Sequence, residues 1–194
     1  MSFDLMVGGS GAFGNTRPRT KKRTAKSVET WPALAFVFPY HEMAMQDLLK
    51  VDGLYNVKTR RSNWNYRGPV LLYTSKGRYH HVPAMAYGLN PHNFPRGVIV
   101  GVANVVDSRL LTQNERLQML CNFNKITLAQ AEKISSWTDE YIEPLPFGVF
   151  LGGIKRFKKP VPYKPKPGAI GIMRVPVKLV AKALKEVGIN PKSL

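Results

Sequence analysis

Between positions 58 and 67 the chain sets Lys58, Thr59, Arg60, Arg61, Trp64 and Arg67 close together, and no Asp or Glu stands anywhere from Gly53 to Val106. A guanidinium or ammonium with no carboxylate beside it suits phosphate, or the negative charge that develops in a transition state. Catalysis would ask for more: an activated nucleophile or a group that moves a proton. The first acid to follow is Asp107, at the end of an apolar run. Two chemistries therefore compete for one region. In the preferred one, Lys58, Arg60, Arg61, Arg67 and Arg78 contact phosphates while aromatic rings such as Trp64 meet unpaired bases. In the other, the region is catalytic. A metal-independent ribonuclease is a variant of the second, with Lys58, Arg60 and Arg61 stabilising a phosphorane and His80 or His81 moving protons.

Other motifs carry less. Gly9-Ser10-Gly11-Ala12-Phe13-Gly14 matches GxGxxG, a motif that needs a strand before it and a helix after it. Only eight residues precede it and Thr16-Arg17-Pro18 follows, so a glycine-rich linker is the better reading. His80 and His81 are adjacent, and neighbours on a strand point to opposite faces, which argues against a shared metal ion. Cys121 lies in an amphipathic helical pattern and reads as core. No metal or cofactor is expected. A single cysteine excludes an intramolecular disulfide and fits a cytoplasmic or other reducing compartment.

The charge balance points the same way as the first cluster. The 194 residues include 29 Lys and Arg against 12 Asp and Glu, a formal charge of +17. Nucleic acid is the expected polyanion, because each neutralised phosphate also releases a counterion. An anionic membrane surface ranks second as the polyanion and is not the expected partner; no apolar run approaches bilayer-spanning length. A second acid-free stretch runs from Pro144 to Val175 and carries Lys155, Arg156, Lys158, Lys159, Lys164 and Lys166, with Phe157 and Tyr163 among them. The acids gather between the two stretches, at Asp107, Glu115, Glu132, Asp139, Glu140 and Glu143, which predicts a polarised surface.

The elements that must position these groups follow from patterning. Residues 1–30 combine clustered glycines with Arg17, Arg19, Lys21, Lys22, Arg23 and Lys26, and read as a basic arm that contacts nucleic acid or a larger protein or ribonucleoprotein assembly. A structural role in such an assembly is a further alternative. The domain is expected over 31–176. Strands are predicted at Ala33–Phe38, Val70–Thr74, Val98–Val106, Phe147–Leu151 and Ala169–Val175, with a Pro- and Lys-rich loop between the last two. Gly101 inside a strand predicts a bulge or a close backbone approach. A helix is predicted from His41 to Lys50. Two more start at the capping-box patterns Thr112/Glu115 and Thr127/Gln130. Residues 177–194 read as a helical extension, with Leu179, Val180, Ala183, Leu184 and Val187 on one face and Gly188 as its stop. The fold class is α+β: a small, partly open β-barrel with helices in its connections.

Several of these pieces, in their order, resemble the ASCH domains of the PUA-like superfamily. Phe38-Pro39-Tyr40 precedes the first helix; Val57-Lys58-Thr59 resembles the family's G-x-K-T turn; Tyr66-Arg67-Gly68 opens a strand. Gly97-Val98-Ile99-Val100-Gly101 is similar to its central strand, and Pro160-Val161-Pro162 with Gly168-Ala169-Ile170-Gly171-Ile172 to its close. The match spans about residues 34 to 176. The resemblance implies a PUA-like barrel whose cleft is lined by the Lys58 turn and faces nucleic acid, RNA before DNA. It also implies, as the alternative, hydrolysis of N4-acetylcytidine with a Lys, a Thr and a Glu, for which the catalytic set here would be Lys58, Thr59 and, as the nearest acid to follow, Asp107. This chain departs from that pattern: Thr59 is adjacent to Lys58, and Arg61 stands where a carboxylate often follows the arginine of the turn. Guanidinium in place of carboxylate favours a phosphate anchor, so binding ranks above catalysis.

Overall fold

The computed structural model describes residues 29–77, 79–133, 144–166 and 172–191. The basic arm up to residue 28, Arg78 and the acids at 139, 140 and 143 lie outside the described residues. Seven strands form one mixed sheet: β1 (Thr30–Phe36), β2 (Lys50–Val51), β3 (Tyr55–Arg60), β4 (Gly68–Thr74), β5 (Val98–Leu110), β6 (Phe147–Pro162) and β7 (Ile172–Pro176), in the order β2-β3-β6-β5-β4-β1-β7. Only β1 and β4 run parallel; the other pairs are antiparallel. The helices are α1 (Tyr40–Met45), α2 (His81–Ala86), α3 (Gln113–Asn124), α4 (Leu128–Lys133) and α5 (Val177–Glu186). Among the described residues no helix is long and apolar enough to cross a membrane.

Alternation along the strands gives the sheet two apolar faces. On one, Leu34, Phe36, Val70, Leu72, Val100, Val105, Val149 and Leu151 pack with Met43 and Ala44 of α1 and Met119 and Phe123 of α3. On the other, Trp31, Ala33, Leu71, Tyr73, Ile99 and Val175 pack with Val180, Ala183 and Leu184 of α5. The C-terminal helix is thus a layer of the domain's own core and not an appendage to it. Gly188, at φ 73°, ends it as expected, while Leu179 is turned out, 45% exposed.

The sheet is strongly coiled. Three strands separate β1 from β3, which would set them roughly 19 Å apart if the sheet were flat. Yet the Lys58 ammonium on β3 lies 4.9 Å from the centre of the Phe36 ring on β1. Register shifts along β5 supply part of the bending, at Ile99/Gly101, Val102/Asn104 and Val105/Asp107. Gly101 fills both of its expected roles. It sits at a bulge, and a Cβ there would overlap the Lys155 carbonyl oxygen and lie 2.8 Å from the Met45 methyl.

Three expectations change. The helix predicted to Lys50 stops at Met45, because Asp47 turns into the left-handed region at φ 59° and the chain enters β2. Val57-Lys58-Thr59 is the middle of a strand and not a turn. The Lys-rich segment after Leu151 continues as β6 to Pro162, since backbone pairing with β5 needs no apolar side chains.

The Thr112/Glu115 capping box is formed: the Thr112 hydroxyl accepts from the Glu115 amide at 3.2 Å, and the Glu115 carboxylate accepts from the Thr112 amide at 2.8 Å. Arg109 adds a two-pronged contact to that carboxylate at 2.7 and 2.5 Å. These bonds, that from Arg109 first, draw the Glu115 carboxyl down to about 2. A carboxyl lowered on folding stabilises above its unfolded value near 4.3, and the gain is lost as pH falls toward the folded value. Glu115→Gln is therefore expected to cost about 1–3 kcal/mol near neutrality. In thermal melts the gap between the two proteins should close between about pH 4 and 2.

Candidate nucleic-acid interface

The coil leaves a seam. β2 pairs only with Tyr55 and Asn56 of β3, and β7 only with Thr30–Leu34 of β1. Among the described residues no strand pairs with the outer sides of Lys58–Arg60 and Ala35–Phe36. A cavity of about 290 Å³ opens there, walled by Phe36 from β1, Tyr40 from α1, Val57, Lys58 and Thr59 from β3, His80 before α2 and Phe123 from α3. The wall is mostly apolar and aromatic, with few polar groups, as in small-ligand pockets generally.

Lys58 is half-buried, and among the described residues no carboxylate pairs with it. Burial, and then the charge of Arg60, lower its ammonium to about 8. Arg60, two residues on and so on the same side of the strand, is also half-buried. Its guanidinium lies 5.7 Å from the Trp64 ring centre, and its Nη1 is buried with no hydrogen-bond partner. Trp64 stacks on Tyr66, with centres 4.8 Å apart and planes 18° apart. The Trp64 amide donates to Ser108 Oγ at 3.0 Å and the Tyr66 hydroxyl to the Pro69 carbonyl at 2.7 Å, which ties this loop to β5 and β4.

Across the cavity the Tyr40 hydroxyl meets His80 Nδ1 at 2.8 Å. Burial raises the Tyr40 phenol, and burial followed by the Lys58 charge lowers His80. A protonated phenol facing a neutral imidazole donates to Nδ1, which leaves Nε2 as the imidazole's own donor. His80 is the N-cap of α2 and His81 its first residue, so the two do not alternate along a strand as the sequence suggested.

Lys58 and Thr59 share the cavity; Arg60 follows them on β3 but is not one of its walls, and Arg61 is exposed. Arg67 is engaged elsewhere, with its Nη2 2.5 Å from Asp107 Oδ1; Asp107 also meets Arg109 Nε at 3.1 Å. In register, Lys58 lies opposite Val149 and Val149 opposite Ser108. Asp107 is one residue out of that row, so its carboxylate stands on the other face of the sheet. The set Lys58, Thr59 and Asp107 is therefore not assembled.

The second basic stretch divides. Arg156 is ion-paired to the buried Glu42 at 2.7 Å, and Lys155 donates to the Val187 carbonyl after α5 at 3.0 Å. Lys158 and Lys159 are exposed on the far part of β6, residues of about 3.3 Å rise each away from Val149, and do not border the Lys58 cavity. Lys164 and Lys166 border a separate groove between β7 and α5. The expected single opening shared by all these cations is thus replaced by two sites. His80 was expected beside Lys58 only as a proton mover in the ribonuclease alternative, and Tyr40 and Phe123 were not read as cavity residues. Their only signal was aromatic type, since they come from separate parts of the chain.

Neither a protein-family model nor a curated protein matches this chain at a significant level.

Proposed function

We propose that this protein binds single-stranded nucleic acid at the seam, on a coiled sheet equivalent to the PUA-like barrel of ASCH domains. A backbone phosphate sits between Lys58 and Arg60, and an unpaired base enters the aromatic cavity. The observation that carries this is the pairing of two neighbouring cations that have no carboxylate partner with an adjoining aromatic pocket, one guanidinium nitrogen being buried without an acceptor. A buried donor without a partner costs free energy that an incoming phosphate oxygen recovers. The preference for RNA over DNA rests on the family resemblance.

Titration of a fluorescent single-stranded RNA tests the reading. With about four phosphate contacts, affinity should fall roughly 20- to 100-fold between about 50 and 200 mM salt. A flat response overturns it. One observation favours a second reading, hydrolysis in the same cavity: the Tyr40–His80 pair stands beside Lys58 and can relay a proton. Incubation with N4-acetylcytidine, or with RNA, and chromatography of the products decides between the two.

A further inference from the structure

Trp64 and Tyr66 adjoin Arg60 beyond the cavity's own walls. Both pack on the same core cluster as Ile172 of β7. Arg174, two residues beyond Ile172, lies on that same side of the strand and acts on the Tyr66 phenol through its charge. β7 is the last strand of the sheet, and its outer edge borders a groove of about 550 Å³ closed by α5. Lys164, Lys166, Arg174 and Lys178 line that groove with Tyr163, and among the described residues no Asp or Glu lines it. Among the described residues none of the four cations is paired with a carboxylate. Tyr163 is fixed in place, its hydroxyl donating to the Arg174 carbonyl at 3.1 Å and its ring set edge-on to Tyr73.

The geometry points to a continuation of the bound strand from the Lys58 cavity, past the Trp64–Tyr66 stack, into the β7–α5 groove, where these cations hold its phosphates without regard to sequence. This rests on the seam as the binding site and extends it. Four unpaired cations along one acid-free groove complement a polyanion, and a fixed half-buried ring among them offers a surface to a passing base. Arg60, Trp64, Tyr66 and Arg174 form the connecting series.

Oligouridylates of two lengths separate this claim from its parent. Arg174→Ala with Lys178→Ala is expected to weaken binding of a chain of about twelve nucleotides roughly tenfold and to lower its salt slope by about 1.4, two contacts at about 0.7 each. Binding of a trinucleotide should be unchanged. Lys164→Ala with Lys166→Ala, on a different segment, should behave alike, and circular dichroism melts confirm that both proteins are folded. Lys58→Met should weaken both lengths. If either folded double variant binds the long chain with wild-type affinity and slope, the continuation is wrong while the cavity stands. If the wild-type protein binds neither length, the seam reading falls and takes the continuation with it.

Discussion

Lys58→Met is expected to weaken single-stranded RNA binding about 10- to 100-fold and to raise the melting temperature by about 2–4 °C. The first figure is that of a lost hydrogen bond to a charged group, about 1.5–3 kcal/mol. The second follows from the environment of Lys58. Its ammonium is half-buried beside Phe36, near Arg60, and no carboxylate offsets its desolvation. Methionine fills similar volume with no charge, and about 1 kcal/mol corresponds to a few degrees in a chain of this size. The pH dependence fixes the sign. Lys58 titrates at about 8 in the folded protein, below the ordinary value near 10.4. Its cost is therefore fully present below about pH 8 and is relieved as pH rises from there to about 10.4. The stability gap between variant and wild type should narrow across that window. RNA affinity of the wild type should fall through the same lower limit, since only the ammonium attracts phosphate. Wild-type affinity unchanged from pH 7 to 9, or a variant that binds normally, would remove Lys58 from the site.

Arg156→Ala is expected to act in the opposite sense: a melting temperature lower by roughly 5–10 °C, with RNA affinity unchanged where the protein is folded. Glu42 is buried; one carboxylate oxygen accepts from Gln46 and Arg156, and the other has no hydrogen-bond partner. Burial raises the Glu42 carboxyl, but the bonds from Arg156 and Gln46 outweigh it and the net shift is downward. Removing the guanidinium leaves that charge uncompensated. Such losses run to 3–5 kcal/mol for fully buried pairs, and about 2–3 kcal/mol is appropriate here because Arg156 is 49% exposed. The double variant Glu42→Gln with Arg156→Ala should recover much of the loss in a thermal melt. An Arg156→Ala protein of wild-type stability and weakened RNA binding would return Arg156 to the interface.

Arg156 also shows where reading the sequence reached its limit. Strands with apolar alternation, such as Val70–Thr74, and the Thr112/Glu115 cap were legible because the pattern itself does the folding work. β3 was not, because the inward position that would carry an apolar residue carries Lys58, and Asn56, Thr59 and Arg60 complete a polar run. The far half of β6 was hidden likewise: its backbone pairs with β5 while Lys155, Arg156, Lys158 and Lys159 face outward around a single buried Phe157. Charge could be counted from the sequence, but not who neutralises it. Glu42 is far from Arg156 along the chain, and the pair exists only because α1 packs against β6. The cations of the seam were legible for the converse reason: with no acid from Gly53 to Val106, no local partner was at hand for Lys58 or Arg60.

An occupant of the seam, as proposed, would share its lifetime with the fold. β1 and β3 approach each other without sharing a hydrogen bond, so only side chains such as Phe36 and Lys58 bridge the gap. A guest lodged between them adds a rung that the polypeptide lacks, and unwinding of the coil must first expel it. Release of the guest and opening of the sheet then become successive steps of one process, and occupancy protects the native state by mass action.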